Sequence, residues 1–259
     1  MKNYLVDLIL RRVATVVKRI LPSTRAAAFM LLIGPLVQQD KPERALRFLF
    51  ELENRLYELE GQTSVRYGGG IHTKHRHTNY HQFFIKNLKP GERVLDVGSG
   101  NGFLAYDVVT SVKNICVVGI ELNKSNVKFA CEHYQHPNLV FVHGDVLKNI
   151  PQEKFDVIIL SNVLEHIECR VDFLKKLTEF TRPKRLLIRV PQYDRDWRVP
   201  LKNELGVDSR LDRAHFIEYT REKFLEELSL ANLRPTHMEF RWGEIWSVAE
   251  PLSKVKNND

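Results

Sequence analysis

Between residues 93 and 190, apolar runs typical of β-strands alternate with segments of helical periodicity, and this alternation constrains the fold most. The strand-like runs are Arg93–Val97, Cys116–Glu121, Leu139–His143, Phe155–Leu160 and Arg185–Val190. The helical segments are Phe103–Ser111, Ser125–Tyr134 and Val171–Thr181. Strands that alternate with helices pair in parallel and are covered on both faces, so the sequence predicts an α/β fold with a largely parallel sheet.

The chain divides into three predicted regions. Residues 1–61 read as a helical N-terminal extension, 62–90 as a linker or lid segment, and 91–259 as the main domain. In the extension we expect helices over 4–21, from about Thr24 to Val37, and from Pro42 to Glu60, the last ending at Gly61. In the main domain, a long polar segment over 191–219 precedes a helix over about 220–231 and two closely spaced strands, Pro235–Arg241 and Glu244–Val248.

Charge and cysteine content indicate the cellular compartment of the protein but do not identify its binding partner. The net charge is +7, and residues 1–40 contain six Lys or Arg residues but only two Asp residues. The basic amphipathic helix over 4–21 suits peripheral contact with an anionic membrane, or packing on its own domain. The three cysteines are far apart and form no Cys-x-x-Cys pair, so we expect buried free thiols and a cytoplasmic protein.

A glycine-rich loop directly follows the first predicted strand. The segment reads Asp96-Val97-Gly98-Ser99-Gly100-Asn101-Gly102, and a helical pattern begins at Phe103. Glycines at these positions permit tight turns and close approach of a ligand at the carboxyl end of a strand. A nicotinamide-binding loop has the pattern G-x-G-x-x-G, which is one residue longer. A carboxylate before the glycines also favours a cationic ligand over a pyrophosphate.

Acidic residues follow the next two predicted strands. Glu121 ends the second strand, where a carboxylate can accept hydrogen bonds from two ribose hydroxyls or can cap the following helix. Asp145 follows the third strand, where it can bind an adenine amino group, with Val146 on the ring, or can form a turn. Both residues are candidates for binding a nucleoside.

The glycine loop, Glu121, Gly144-Asp145 and the segment Phe155 to Ile167 resemble, in order and spacing, class I S-adenosylmethionine-dependent methyltransferases, most of all the broad type 11 group. The resemblance covers about residues 80–250 and implies a Rossmann-like, doubly wound sheet of seven strands with an antiparallel last strand. It implies S-adenosylmethionine as the cofactor. The residues expected to bind it are Asp96, Gly98, Ser99, Gly100, Gly102, Glu121, Leu122, Asp145, Val146 and Asn162.

Two histidines are candidate catalytic bases, because O-methylation requires that a proton leave the acceptor hydroxyl. His166 follows the fourth strand, and His215 lies in the loop before the helix that leads to strand six. Lining the pocket, or hydrogen bonding at the start of a helix, is the alternative role for His166. A cationic cluster over 72–81 contains Arg76, Tyr80 and His81, which can contact the methionine carboxylate or an anionic acceptor, or can form a solvated surface. No carboxylate or thiolate adjoins this cluster, so no metal is predicted.

The sequence thus predicts a methyltransferase that acts on a small-molecule, glycan or lipid-linked acceptor, most simply on oxygen. The polar segment over 191–219, with Tyr193, Trp197 and paired charges, suits sugar or headgroup contacts. A nucleic-acid methyltransferase is a weaker alternative, because Ser161-Asn162-Val163-Leu164 stands where such enzymes carry an Asn/Asp-Pro-Pro-Tyr/Phe motif. A catalytically silent cofactor-binding module is the other alternative. The glycine spacing argues against a nicotinamide oxidoreductase, the last alternative.

Overall fold

The structure is a computed structural model that describes residues 22–252. The predicted helix over 4–21 and its membrane contact lie outside these residues. The helices are α1 (Pro22–Gln39), α2 (Pro42–Tyr67), α3 (Lys74–Thr78), α4 (His81–Lys86), α5 (Phe103–Ser111), α6 (Lys124–His133), α7 (Arg170–Thr181), α8 (Arg198–Glu204) and α9 (Arg221–Leu230). The strands are β1 (Arg93–Val97), β2 (Cys116–Glu121), β3 (Leu139–His143), β4 (Val157–Ser161), β5 (Arg185–Pro191), β6 (Leu233–Arg241) and β7 (Glu244–Pro251).

Within the described residues, seven strands form one sheet in the order β3-β2-β1-β4-β5-β7-β6. The pairs β1–β2, β1–β4, β2–β3 and β4–β5 are parallel, and β7 is antiparallel to both of its neighbours. The predicted Rossmann-like sheet with an antiparallel last strand is confirmed. The chain order reverses between β1 and β4, and the carboxyl ends of strands at such a point form a crevice in which ligands bind.

Alternate side chains of the central strands enter two separate cores. Leu95, Ile158 and Leu186 belong to one hydrophobic cluster, and all three are fully buried. Their neighbours Val94, Val157 and Leu187 belong to a second cluster, which is equally buried. Since successive strand residues point to opposite faces, apolar layers cover both faces of the sheet. This double cover explains why the strands read as continuous apolar runs.

The chain divides into two compact units within the described residues. One unit comprises 22–60 with 202–208, and the other comprises 61–201 with 209–252. In the first unit, Lys202 Nζ lies 2.8 Å from Asn54 Oδ1 and 2.8 Å from Glu53 Oε2, and Asn54 donates to the Asp208 carbonyl at 2.7 Å. The second unit holds the whole sheet. No helix within 22–252 is long and apolar enough to cross a membrane.

Several sequence expectations need correction. Helix α2 does not end at Gly61 but continues to Tyr67, because one glycine inside a long helix costs only about 1 kcal/mol. The polar segment over 191–219 contains the helix α8, and the segment over 62–90, predicted as a linker or lid, contains α3 and α4. All three cysteines, Cys116, Cys131 and Cys169, are exposed rather than buried. Their positions on β2, on α6 and before α7 face away from the two cores.

Helix α9 has a side-chain cap that gives a test of the local structure. Thr220 accepts a hydrogen bond from the Lys223 backbone N–H at 3.2 Å. We expect Thr220→Ala to lower the free energy of unfolding by about 1 kcal/mol, because a helix N-terminal donor loses its acceptor. In thermal denaturation, this is a decrease in Tm of about 2–4 °C for a domain of this size. Thr110→Ala is the control, since this hydroxyl bonds only within α5. Equal losses in both variants would contradict the capping role.

Candidate functional site

The glycine loop connects β1 to α5 and leaves its centre open to a ligand. Gly98, Gly100 and Gly102 have φ angles of +68°, +56° and +84°. A Cβ atom at Gly102 would lie 2.5 Å from Phe141 Cζ, whereas a Cβ at Gly100 would meet nothing within 4 Å. Gly102 therefore allows the start of α5 to pack closely against β3 and α6. Gly100 marks the surface where a ligand can approach the backbone.

Asp96 lies near the end of β1 and carries the most perturbed carboxylate beside this loop. Its side chain is buried, and among the described residues no hydrogen-bond partner reaches Oδ2. Burial, and secondarily the charge of Glu121, raise the pKa of Asp96 to about 7. The Ser99 hydroxyl is also buried, with no partner within residues 22–252. Unpartnered buried polar atoms are costly, so both atoms fit a polar ligand that supplies donors here.

Glu121 fixes the loop from the end of β2. Its Oε2 accepts a hydrogen bond from the Gly100 N–H at 2.9 Å, and its Oε1 accepts one from the Asn123 N–H at 2.7 Å. Each carboxylate oxygen retains further acceptor capacity, so a ligand hydroxyl can still bind. The sequence did not reveal that Glu121 holds the loop, because this contact joins two different strand ends.

The residues predicted to bind adenine lie after β3 and in the loop after β2. Asp145 Oδ1 accepts from the Leu147 N–H at 3.0 Å, and Lys148 Nζ lies 3.2 Å from Oδ2. Val146 packs against the core, and Leu122 is 65% exposed. Asp145 therefore forms the turn that the sequence offered as its alternative role, and its carboxylate oxygens can still accept a ligand donor.

A cavity lies between the glycine loop and the segment before β1. It is lined by Gly70, Ile71, His72, His75, Tyr80, Asp96, Gly98, Ser99, Gly100, Asn101, Phe103, Leu104 and Ser161. The predicted residues Asp96, Gly98, Ser99 and Gly100 thus share one cavity. Of the remaining predicted cofactor residues, none contributes to this lining in the described chain: Gly102, Glu121, Leu122, Asp145, Val146 and Asn162.

The histidine-rich segment before β1 supplies an aromatic wall. His75 lines the cavity with its ring 5.0 Å from that of Tyr80, and burial, followed by the charge of Lys74, lowers its pKa to about 4. His81 is buried, and its Nδ1 lies 2.5 Å from Asp107 Oδ2. The expected group Arg76, Tyr80 and His81 is therefore split, because only Tyr80 among them lines the cavity.

Arg189 on β5 is a site residue that the sequence analysis missed. Its side chain is buried and donates two hydrogen bonds to Glu244, at 2.8 and 3.0 Å. The guanidinium lies 3.8 Å from the centre of the Tyr80 ring, a cation–π contact that fixes the ring beside the cavity. Burial raises the pKa of Tyr80 to about 12. A charged residue inside the apolar run Leu186 to Val190 is the sequence feature that could have identified Arg189 as a site residue.

The two predicted catalytic histidines are neighbours. The ring centroids of His166 and His215 lie 4.7 Å apart. His166 is exposed at the end of a short 3₁₀ turn, Leu164–His166, and its pKa is lowered by burial and by His215. His215 is buried, and its Nδ1 lies 3.2 Å from Glu218 Oε1. The structure thus brings together residues that are 49 positions apart in the sequence.

Glu165 completes this group and was not predicted from the sequence. Its side chain is fully buried, Oε1 accepts from Asn162 Nδ2 at 2.8 Å, and Oε2 has no partner among the described residues. Burial raises the pKa of Glu165 to about 7. The Asn162 side chain, predicted to bind the cofactor, is directed to Glu165. Ligand atoms of Glu165, His166 and His215 lie within 4.8 Å of one another.

Residues 88–214 match the family model of a methyltransferase domain. The ubiquinone biosynthesis O-methyltransferase of Bradyrhizobium diazoefficiens is 30% identical over 114 residues, which are 43% of this chain and 44% of that protein. A probable (S)-tetrahydroprotoberberine N-methyltransferase of Papaver bracteatum is 25% identical over 151 residues, covering 54% and 42% of the two chains. This chain therefore spans less than half the length of these curated relatives.

Solved structures share the fold at low sequence identity. Magnesium protoporphyrin IX methyltransferase of Synechocystis PCC 6803, solved with bound S-adenosylhomocysteine, superposes with a TM-score of 0.55 at 16% identity. The likeness covers 73% of this chain and 86% of that chain. At this identity the likeness establishes the fold alone. The glycine loop lies within the residues that match the family model.

Proposed function

Because residues 88–214 form a class I S-adenosylmethionine-dependent methyltransferase domain, we propose that this protein transfers a methyl group to an oxygen of a small-molecule, glycan or lipid-linked acceptor. Asp96 is the observation that carries the proposal. It is a buried carboxylate whose Oδ2 has no hydrogen-bond partner in the described part of the chain, and it lies on a cavity lined by the glycine loop. A cationic ligand with amino donors matches it, and a pyrophosphate does not.

The cofactor position proposed here follows the ends of β1, β2 and β3. Asp96 and the backbone of Gly98 and Gly100 face the amino-acid part of the cofactor. Ser99, whose hydroxyl has no partner, supplies a polar contact beside it. The ribose is assigned to Glu121 and Leu122, the adenine to Asp145 and Val146, and Gly102 and Asn162 shape the loops that hold them. S-adenosylmethionine supplies an electrophilic methyl group on a sulfonium whose positive charge disappears on transfer.

The acceptor is assigned to the carboxyl ends of β4 and β5. His166 is exposed there, and His215 and Glu165 lie beside it. These side chains can assist the loss of a hydroxyl proton, which methylation of an alcohol or phenol requires. The protein otherwise contributes mainly alignment of the donor with the acceptor. The aromatic contact between Arg189 and Tyr80 keeps the wall of the cavity fixed for that alignment.

Calorimetry tests the cofactor assignment without knowledge of the acceptor. We expect S-adenosylmethionine to bind and NAD to give no heat. Glu121→Gln is expected to weaken S-adenosylmethionine binding about 10–150-fold, since loss of a hydrogen bond to a charged group costs about 1.5–3 kcal/mol. The amide also leaves one of the two backbone donors, Gly100 or Asn123, without an acceptor.

Glu132→Gln is the matched control, because this exposed carboxylate lies on α6 away from the loop. Equal affinities in wild type and Glu121→Gln would remove the ribose assignment, and absence of S-adenosylmethionine binding would remove the whole proposal. Profiling of acceptor extracts with labelled S-adenosylmethionine then identifies the methylated atom. A labelled nitrogen would contradict the proposed O-methylation while leaving the cofactor assignment intact.

A further inference from the structure

We propose that Glu165, His166 and His215 bind a divalent first-row transition-metal ion such as Zn²⁺. One ligand atom from each residue lies within 4.8 Å of the other two. Ligands at about 2.0–2.2 Å from a common ion lie at most about 4.4 Å apart, so binding requires these side chains to close slightly on the ion. This inference departs from the sequence analysis, which predicted no metal and considered only the cluster over 72–81.

The carboxylate of Glu165 provides the second, independent observation. Its Oε2 is buried without a partner among residues 22–252, while Asn162 holds Oε1 at 2.8 Å. A fully buried carboxylate oxygen without a donor is expensive to keep. Coordination of a cation satisfies this atom, and the Asn162 contact fixes the orientation in which Oε2 is free.

The environment of the two histidines matches that of metal-bound imidazoles. His215 Nδ1 contacts Glu218 Oε1, and Glu218 is itself fixed by Arg195 and by the Leu211 N–H. A histidine that donates Nδ1–H to a carboxylate presents an unprotonated Nε2 to a metal. The His166 ring also hydrogen-bonds the backbone at Ala214, which orients it. All three ligands are therefore held by further contacts.

The ligand set selects the class of metal. Two imidazoles and one carboxylate suit Zn²⁺ and related ions, whereas Mg²⁺ prefers oxygen ligands with several waters. Three protein ligands leave coordination positions open, as in catalytic rather than structural sites. The exposed His166 leaves one side of the site accessible. A bound ion would act as a Lewis acid that lowers the pKa of the acceptor hydroxyl, so these three side chains would promote proton loss through the metal and not as free bases. Only this use of the metal rests on the proposed function.

Metal binding is measured on the full chain without cofactor or acceptor, so that its outcome is independent of methyl transfer. After chelation, the protein is titrated with Co²⁺ and followed by visible absorption, then with Zn²⁺ in competition. We expect one equivalent to bind, with the spectrum of nitrogen and oxygen ligands. A thiolate charge-transfer band would instead assign binding to the exposed cysteines and would contradict the proposal.

Variants distinguish the three ligands from surface binding. His166→Ala changes an exposed side chain, so it should fold normally and should lose metal affinity at least about 10–100-fold. His215→Ala and Glu165→Gln should show the same loss. The matched control is His237→Ala, an exposed histidine on β6, which should bind Co²⁺ like wild type. Unchanged affinity in His166→Ala, or tighter binding of Mg²⁺ than of Zn²⁺, would overturn the proposal.

Discussion

Replacement of Asp96 by Asn is expected to weaken S-adenosylmethionine binding by about 2–5 kcal/mol, which is roughly 30-fold to several thousand-fold. The wild-type carboxylate is buried, and no residue that the structure describes hydrogen-bonds its Oδ2, so a bound cation would meet a weakly screened charge. The amide has nearly the same shape, but it removes the charge and replaces one acceptor oxygen by an N–H donor. Calorimetry at pH 8, where Asp96 is ionised, measures the loss.

The same residue gives the affinity a pH dependence. Because burial raises the pKa of Asp96 to about 7, wild-type affinity should fall as the pH decreases through 7 and the carboxylate takes up a proton. In Asp96→Asn the affinity should be low and flat over this range. Asp172→Asn, an exposed aspartate in the first turn of α7, is the matched control and should retain the wild-type profile.

The stability of the cofactor-free protein should depend on the protonation of Asp96 in the opposite direction, decreasing as the pH rises. Its folded-state pKa lies above the ordinary value of 3.8, so the folded state binds a proton that the unfolded state releases. This stabilising contribution is complete below about pH 4 and is lost as the pH rises through 7. Asp96→Asn should therefore unfold at a higher temperature than wild type at pH 8 without cofactor. A less stable variant with unchanged cofactor affinity would show that Asp96 is structural.

The central sheet could be predicted because its determinants are local in sequence. Each of the first three strands has the bounds read from its apolar run, and α5 begins directly after Gly102 as predicted. Where buried apolar runs end at glycines or acids, hydrophobic periodicity and turn chemistry agree. The exposed Cys116 shows the limit, since the run did not reveal which end of β2 faces solvent.

Only part of the candidate site could be predicted from the sequence. The glycine loop is a local motif, whereas the remaining residues come together through contacts between distant segments. Asp96 and Gly100 belong to one short motif, so spacing alone identified them. Arg189 acquires its role from Glu244 and Tyr80, which adjoin it only after β5 pairs with β7 and the segment before β1 folds back. The periodicity of a single sequence does not reveal tertiary contacts of this kind.

Glu165 illustrates a different limit of sequence reasoning. In the sequence it adjoins His166 and reads as a polar residue of a loop. In the structure it is the fully buried member of the pair, and His166 is exposed. Burial of a charged residue depends on what covers it, and here the covering loop carries His215, whose neighbour Phe216 donates its N–H to the Glu165 carbonyl at 2.7 Å. The cluster is thus a product of tertiary structure.

Substitutions of two glycines in the loop should have different effects, one mainly on the stability of the fold and the other mainly on cofactor binding. We expect Gly102→Ala to lower the free energy of unfolding by about 2–5 kcal/mol. A non-glycine residue in the left-handed region costs about 1–2 kcal/mol, and crowding in a packed core costs about 1–3 kcal/mol. Both apply here, because φ is +84° and the added Cβ would lie 2.5 Å from Phe141 Cζ and 2.9 Å from Ala130 Cβ. Chemical denaturation measures the loss.

Gly100→Ala is the informative partner of this variant. Its φ of +56° carries the conformational cost, but the added Cβ meets nothing within 4 Å, so only about 1–2 kcal/mol should be lost. The methyl group would enter the surface assigned to the cofactor, so affinity for S-adenosylmethionine should fall even in the folded protein. Gly91→Ala, at φ +80° with open space and away from the loop, controls for the backbone cost alone. If Gly100→Ala and Gly91→Ala bind the cofactor equally well, the loop is a packing element and the cofactor lies elsewhere.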